Sequence, residues 1–163
     1  MPLAILPTAE CHLDGLYAAF DAVARERQYL ASFQAPAKEA WLGTLRTNIA
    51  RDLCQFVAVD DEVLGWCDVL PAPGEARTHV GVLTIGVLPP ARGRGIGAML
   101  MEAAIDQAWA KGLRRIQLTV RADNSRATSL YERFGFATEG VLRQDFCVDG
   151  RYFDGYLMAL LRR

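Results

Sequence analysis

Val87-Leu88-Pro89-Pro90-Ala91-Arg92-Gly93-Arg94-Gly95-Ile96-Gly97-Ala98 is the stretch on which the reading of this chain turns. A β-branched, apolar strand runs into two prolines, which lack the N–H that a sheet ladder needs. A glycine-rich turn follows, and a strong helix begins at its end. Glycines at 93, 95 and 97 let the backbone take unusual φ and let a ligand come close. The unpaired N–H groups at a helix start, together with the helix dipole, attract an anion such as a pyrophosphate. Arg92 and Arg94 add positive charge at the same place. Taken alone, the turn also satisfies the dinucleotide pattern G-x-G-x-x-G/A through Gly93, Gly95 and Ala98, with Asp123 at about the expected distance for the acidic partner. Four residues separate the strand from the first glycine, however, and only 66 residues remain after Gly97. Both facts argue against a nicotinamide-cofactor domain. No Gly-Lys-Ser/Thr follows, which excludes a Walker-type phosphate loop.

Working outward, the helix spans 95–111, with Ile96, Met99, Leu100, Ala103, Ala104 and Ala108 as its apolar stripe and Gly112 as its stop. Upstream, 79–88 is a strand, and 55–59 and 63–70 flank the polar turn Asp60-Asp61-Glu62 as an antiparallel hairpin. Earlier still, 3–6 reads as a short strand, 14–30 as a helix and 37–50 as a second amphipathic helix. Downstream, 116–120 alternates as a strand and 124–134 is helical, closed by Gly135. Strands 136–148 and 152–161 flank Asp149-Gly150, a hairpin signal. The order β-α-α-β-β-β-α-β-α-β-β specifies an α/β or α+β mixed sheet with helices on its faces, and 1–163 reads as a single domain.

The second informative segment is Asp123-Asn124-Ser125-Arg126-Ala127-Thr128-Ser129-Leu130-Tyr131 with Gly135-Phe136 behind it. Asn124 or Ser125 can cap the helix. Tyr131 shares the apolar face of Ala127 and Phe134, where it is either a packed aromatic or a phenolic proton donor.

Composition narrows the function. The chain of 163 residues is 52% hydrophobic and 23% charged, the balance of a domain with a sizeable core. Its net charge of −1 gives no reason to expect nucleic acid or an anionic membrane surface. The charge is uneven, though. Residues 1–91 hold 6 basic and 11 acidic groups, net −5, whereas 92–163 hold 12 and 8, net +4. The second half is therefore the expected seat of an anionic ligand. Cys11, Cys54, Cys67 and Cys147 form no C-x-x-C pair, so no metal site is expected and they read as small buried hydrophobes in a reducing compartment. The first seven residues lack a basic region, and no apolar run approaches the ~20 residues of a membrane span. The expected location is the cytoplasm.

Together the two segments resemble the GNAT superfamily of acyl-CoA-dependent N-acyltransferases. Arg92-Gly93-Arg94-Gly95-Ile96-Gly97 matches the signature Q/R-x-x-G-x-G/A, and Asn124-x-x-Ala127-x-x-Leu130-Tyr131-x-x-x-Gly135-Phe136 matches the second motif. The resemblance covers 83–159, and the ending from Glu139-Gly140 to Met158-Ala159 looks like the branch with bacterial L-amino-acid N-acetyltransferases. It implies a mostly antiparallel central sheet of about seven strands with helices on both faces. It implies acetyl-CoA as co-substrate and a small-molecule primary amine as acceptor, with protein N-terminal or lysine acetylation, or a non-catalytic CoA-binding module, as the alternatives.

The resemblance also assigns roles. Arg92, Gly93, Arg94, Gly95, Ile96 and Gly97 would hold the CoA pyrophosphate. The backbone at Ile85 and Val87 would bond the pantetheine and the acetyl oxygen, with a bulge at Gly86. Asn124 would bond the pantetheine arm, and Tyr131 would protonate the departing thiolate. Many relatives carry a Glu on the strand before the turn as a base. Residues 78–85 contain no carboxylate, which leaves His79, Glu26, Asp68 or a water chain. Trp41, Trp66, Tyr29, Phe33 and Phe153 read as core or lid aromatics. Dimerisation through a sheet edge is common in that superfamily, so a homodimer is an expectation of the resemblance alone.

Overall fold

The structure, a computed structural model, describes residues 2–163. Among them are seven strands, β1 Ala4–Pro7, β2 Cys54–Asp60, β3 Glu62–Pro71, β4 Val80–Val87, β5 Arg115–Arg121, β6 Ala137–Val148 and β7 Arg151–Leu161, and four helices, α1 Leu13–Arg25, α2 Lys38–Ala50, α3 Ile96–Ala110 and α4 Ser125–Arg133. The strands form one sheet in the order β1-β2-β3-β4-β5-β7-β6. All neighbours are antiparallel except β4 and β5, which are joined through α3. This is the expected mixed, mostly antiparallel sheet.

Alternation along the strands builds two cores. Val57, Val59, Val63 and Trp66 pack with α1 and α2 on one face. Phe56, Ala58, Cys67, Val69, Leu83, Ile116 and Leu118 pack with α3 and α4 on the other. α3 buries Ile96, Leu100, Met101, Ala104, Ile105 and Ala108. Fully burying a side chain of Leu, Ile or Met size is worth about 1.5–3 kcal/mol, so this helix is firmly seated and holds its N-terminus in place. The stripe is rotated from the expected one, because Met99 is 40% exposed while Met101 and Ile105 are buried.

The feature that positions the site is a parting of two strands. β4 pairs with β5 only where Val80, Gly81 and Val82 face Arg115, Ile116 and Gln117. Beyond Val82 the strands diverge, and the second half of β4 has no ladder partner on that side.

Three expectations need correction. The first helix ends at Arg25, not at residue 30. Arg27 takes φ +56, its guanidinium lies 3.9 Å from the Phe33 ring centroid, and Asp21 accepts the Ala35 N–H at 2.8 Å. These tertiary contacts override helix propensity and turn 26–37 into a loop. The expected bulge at Gly86 is absent, since β3 and β4 run in unbroken register from Gly65↔Val87 to Pro71↔Gly81. Gly86 serves a different need, because a Cβ there would sit 2.2 Å from Cη2 of Trp66. The sheet's irregularities lie instead between β2 and β3 at Ala58/Val59 and between β6 and β7 at Thr138/Gly140 and Leu142/Phe146. Finally, Cys54 and Cys67 are buried as expected, but Cys11 and Cys147 are exposed. Cys11 lies in a single turn before α1 and Cys147 on the edge strand.

Candidate active site

The parted strands open into a cleft of about 850 Å³. One wall is the free half of β4, residues 83–87, and the other is the end of β5 and α4. The floor at one end is the glycine turn and the first residues of α3. The cleft is further bounded by Tyr29, Leu30 and Phe33 of the loop after α1, with Tyr29 against Arg92 of the turn, and by Leu142, Asp145 and Phe146 of β6. Arg27 donates to Asp149 at 2.6 Å, tying that loop to the β6–β7 turn.

Gly93 and Gly95 take φ +81 and +79, a region that side chains avoid. Gly95 is the left-handed cap of α3, and an added Cβ there would meet nothing within 4 Å, so it faces open cleft. A Cβ at Gly97 would reach Leu130 Cδ2 at 3.4 Å, so this glycine lets α3 and α4 approach. The first N–H groups of α3 have no partner within the helix and line the cleft at Ile96, Gly97 and Ala98.

On β4, the Leu88 N–H donates to Leu64 O at 2.8 Å. Strand alternation therefore turns Ile85 and Val87 the other way, toward the opening. The Val87 carbonyl accepts from Arg92 Nε at 2.9 Å, which leaves the N–H groups of Ile85 and Val87 and the Ile85 carbonyl at the free edge.

The arginines behave differently from their sequence reading. Arg92 does not stand free. Both terminal nitrogens donate to the Glu26 carboxylate, and the guanidinium lies 4.8 Å from the Tyr29 ring centroid. Each member of the pair is 22% exposed, so this pair locks the end of α1 to the glycine turn. Arg94 pairs at 3.5 Å with Asp60 and is half exposed. The cation over the turn is Arg126, whose Nη2 would lie 3.6 Å from a Cβ on Gly93. It has no acidic partner among the described residues and lines the cleft beside Asn124. Sequence reasoning missed it; its place two residues after Asn124, on the second motif, was the available signal.

Asn124 caps α4, its Oδ1 accepting the Ala127 N–H at 3.2 Å, while its Nδ2 keeps its donors. Tyr131 lines the cleft at 7% exposure, packed on Phe136 with ring centroids 5.9 Å apart. Its hydroxyl makes no hydrogen bond within the described protein. Burial pushes its pKa well above the ordinary tyrosine value, so the phenol holds its proton throughout the neutral range.

Of the base candidates, His79 precedes β4 with its carbonyl tied to Arg114 and Arg115, and it does not line the cleft. Glu26 is engaged by Arg92. Asp68 remains, on β3 opposite Thr84, which does line the cleft. Trp41 and Trp66 are packing residues against Phe20, Tyr29 and Phe33 face the cleft, and Phe153 carries the Arg121 guanidinium 4.1 Å from its ring centroid.

With this geometry in view, a family model described as acetyltransferase (GNAT) family matches residues 16–136. The L-amino acid N-acetyltransferase AaaT of Escherichia coli is 29% identical over 142 residues, 85% of this chain and 87% of that protein. The mycothiol acetyltransferase of Renibacterium salmoninarum is 41% identical over 86 residues, 50% of this chain, and the match spans only 25% of that longer protein. The crystal structure of a GNAT superfamily phosphinothricin acetyltransferase from Sinorhizobium meliloti in complex with acetyl-CoA superposes with a TM-score of 0.90 at 18% identity, covering 99% of this chain and 89% of the other. The last likeness is one of fold. No helix among the described residues is long and apolar enough to cross a membrane.

Proposed function

The chain belongs to the acetyltransferase (GNAT) family, and from that premise we propose that residues 1–163 form one domain that moves an acetyl group from acetyl-CoA to the primary amine of a small molecule, an amino acid or amino-acid-like compound. The observation that carries this reading is the coincidence, in one cleft, of unpaired strand N–H groups at Ile85 and Val87, a helix N-terminus at Ile96, and a buried, protonated Tyr131. An extended acyl thioester with a charged pyrophosphate fits such a cleft, with its acyl end between the strands and its phosphates at the helix start.

Acetyl-CoA supplies an activated carbonyl when bound. The residues of this chain do the rest. Gly93, Gly95, Ile96 and Gly97 would present backbone N–H groups to the pyrophosphate, with Arg126 as the free cation. The N–H at Ile85 or Val87 would stabilise the oxyanion that forms as the amine attacks. Asn124 Nδ2 would hold the pantetheine amide. Tyr131 would give its proton to the departing thiolate. Arg92 acts indirectly in this reading, by fixing the turn against α1. Likeness to the amino acid acetyltransferase over 85% of the chain supports a small amine with a carboxylate as acceptor, and a cytoplasmic protein is the reading consistent with that chemistry.

Isothermal titration tests the cofactor half of this. Acetyl-CoA should bind and NAD should not. Tight NAD binding without acetyl-CoA binding would overturn it.

A further inference from the structure

An amine acceptor is an ammonium at neutral pH and cannot attack until it loses a proton, so a transfer enzyme of this kind works faster with a base beside the acceptor. No carboxylate on β4 can serve. The sheet offers another route. Thr8, Gln55, Asp68 and Thr84 stand side by side on four successive segments. The Thr8 N–H donates to Gln55 O at 2.9 Å, Gln55 faces Asp68 across β2–β3, and Asp68 faces Thr84 across β3–β4. This is a polar row through a face otherwise built of Val57, Trp66 and their neighbours. A purely structural row would be expected to satisfy itself, because leaving a buried polar group unpaired costs its full desolvation. This one does not. Gln55 is 3% exposed with both amide atoms unpaired, and Thr8 Oγ1 and Asp68 Oδ1 are buried without a protein partner. Among the described residues the Asp68 carboxylate accepts from the Thr84 hydroxyl, which donates to Oδ2 at 3.3 Å, and the Gln55 amide lies near enough to favour its charged form. Thr84 is exposed and lines the cleft.

Resting on the acetyltransferase reading above, we propose that Asp68 receives the proton of the acceptor ammonium through the Thr84 hydroxyl. The hydroxyl takes a proton from the ammonium nitrogen as it passes its own to Asp68 Oδ2. The freed amine then attacks the acyl carbon, the C–N bond forms and the C–S bond breaks. Two protons leave the nitrogen in all. One goes to Asp68 and on to solvent. The other, lost as the amide forms, replaces the proton that the thiolate takes up. Asp68 acts through Thr84 and is a positioning and proton-accepting group, whereas Thr84 is the one that meets the acceptor.

The environment suits that task. Burial raises the Asp68 pKa from 3.8 to about 7, with Gln55 and Thr84 pulling modestly the other way. No charged side chain among the described residues contributes to that shift. A carboxylate that titrates near 7 is well matched to taking and releasing a proton at neutral pH.

The test compares wild type with Asp68→Asn and Thr84→Val across pH 6–10, using an amine that the wild type acetylates. Wild-type kcat/KM should show an acid limb near pH 7. In Asp68→Asn it should fall at least 10-fold at pH 7.5, and the deficit should shrink as pH rises toward the pKa of the amine itself, with acetyl-CoA affinity unchanged. Thr84→Val should behave alike, and Thr84→Ser, which keeps the hydroxyl, should restore the rate. Thr84 is exposed, so its variants keep the question answerable if Asp68→Asn folds poorly. A wild-type pH profile retained in Asp68→Asn, or full activity in Thr84→Val, would overturn the relay while leaving the acetyltransferase reading intact. Failure of the wild type to acetylate any amine would instead overturn the reading on which the relay rests.

Discussion

Tyr131 packs in the core and, in the proposed reading, also supplies a proton. Its ring lies in the core beside Phe136 while its hydroxyl borders the cleft. Tyr131→Phe keeps the packing and removes only the phenol. Turnover should fall roughly 10- to 1000-fold, with acetyl-CoA affinity nearly unchanged, in the range of a lost general acid. The loss should appear in kcat and kcat/KM alike, as single-turnover kinetics would show. Because burial raises the phenol's pKa, wild type should also lose no rate to Tyr131 ionisation up to pH 10. The place of Tyr131 on the apolar face of α4 was legible from the sequence, whereas its role came only with the resemblance. Gly86 was not legible in the same way. The resemblance implied a bulge there, whereas its cause is Trp66, twenty residues upstream in number and directly across the strand pair. Which residue stands opposite a glycine depends on register, and register is set by the whole sheet.

At the level of elements, the glycine turn and α3 form the part of the site that the sequence exposed best. Alternating glycines, a preceding proline pair and a strongly apolar helix are local signals, and the turn lies where they put it. The partners of its arginines were not local. Adjacency to the glycines and the resemblance make Arg92 an expected phosphate ligand, and in the structure it pairs with Glu26, 66 positions away. Two outcomes follow. Gly95→Val should abolish acetyl-CoA binding by calorimetry with the fold retained by circular dichroism, since the added side chain fills open cleft and must take φ +79. Arg126→Glu should weaken acetyl-CoA at least 10-fold and flatten its salt dependence. Arg94→Glu should do less, because that side chain already faces Asp60. A larger effect from Arg94 than from Arg126 would place the phosphates on the other side of the turn.

Across the whole molecule, the order of strands and helices was readable because each hairpin and crossover carries its own turn chemistry, such as Asp149-Gly150 with φ +50 and +76. The parting of β4 from β5 was not readable, since it arises from where pairing stops and not from any residue type. Neither was the polar row across the sheet. That row has a cost for the fold. Asp68 has a raised pKa in the folded chain, so its contribution to stability is full below pH 4 and is lost as pH rises toward about 7. Thermal melts should therefore find Asp68→Asn as stable as wild type or more so at pH 8, with the difference closing toward pH 4. A variant less stable than wild type at pH 8 would mean that the carboxylate supports the fold.

The central claim is acetyl transfer to a small amine by the cleft between β4 and β5. The most direct measurement incubates the protein with acetyl-CoA and a panel of L-amino acids and related amines, follows free thiol, and identifies the product by mass spectrometry. The account predicts thiol release that depends on the amine, an N-acetylated product in equal amount, and loss of both in Gly95→Val. Tight acetyl-CoA binding with no amine-dependent thiol release across the panel would contradict it and leave a CoA-binding module without turnover.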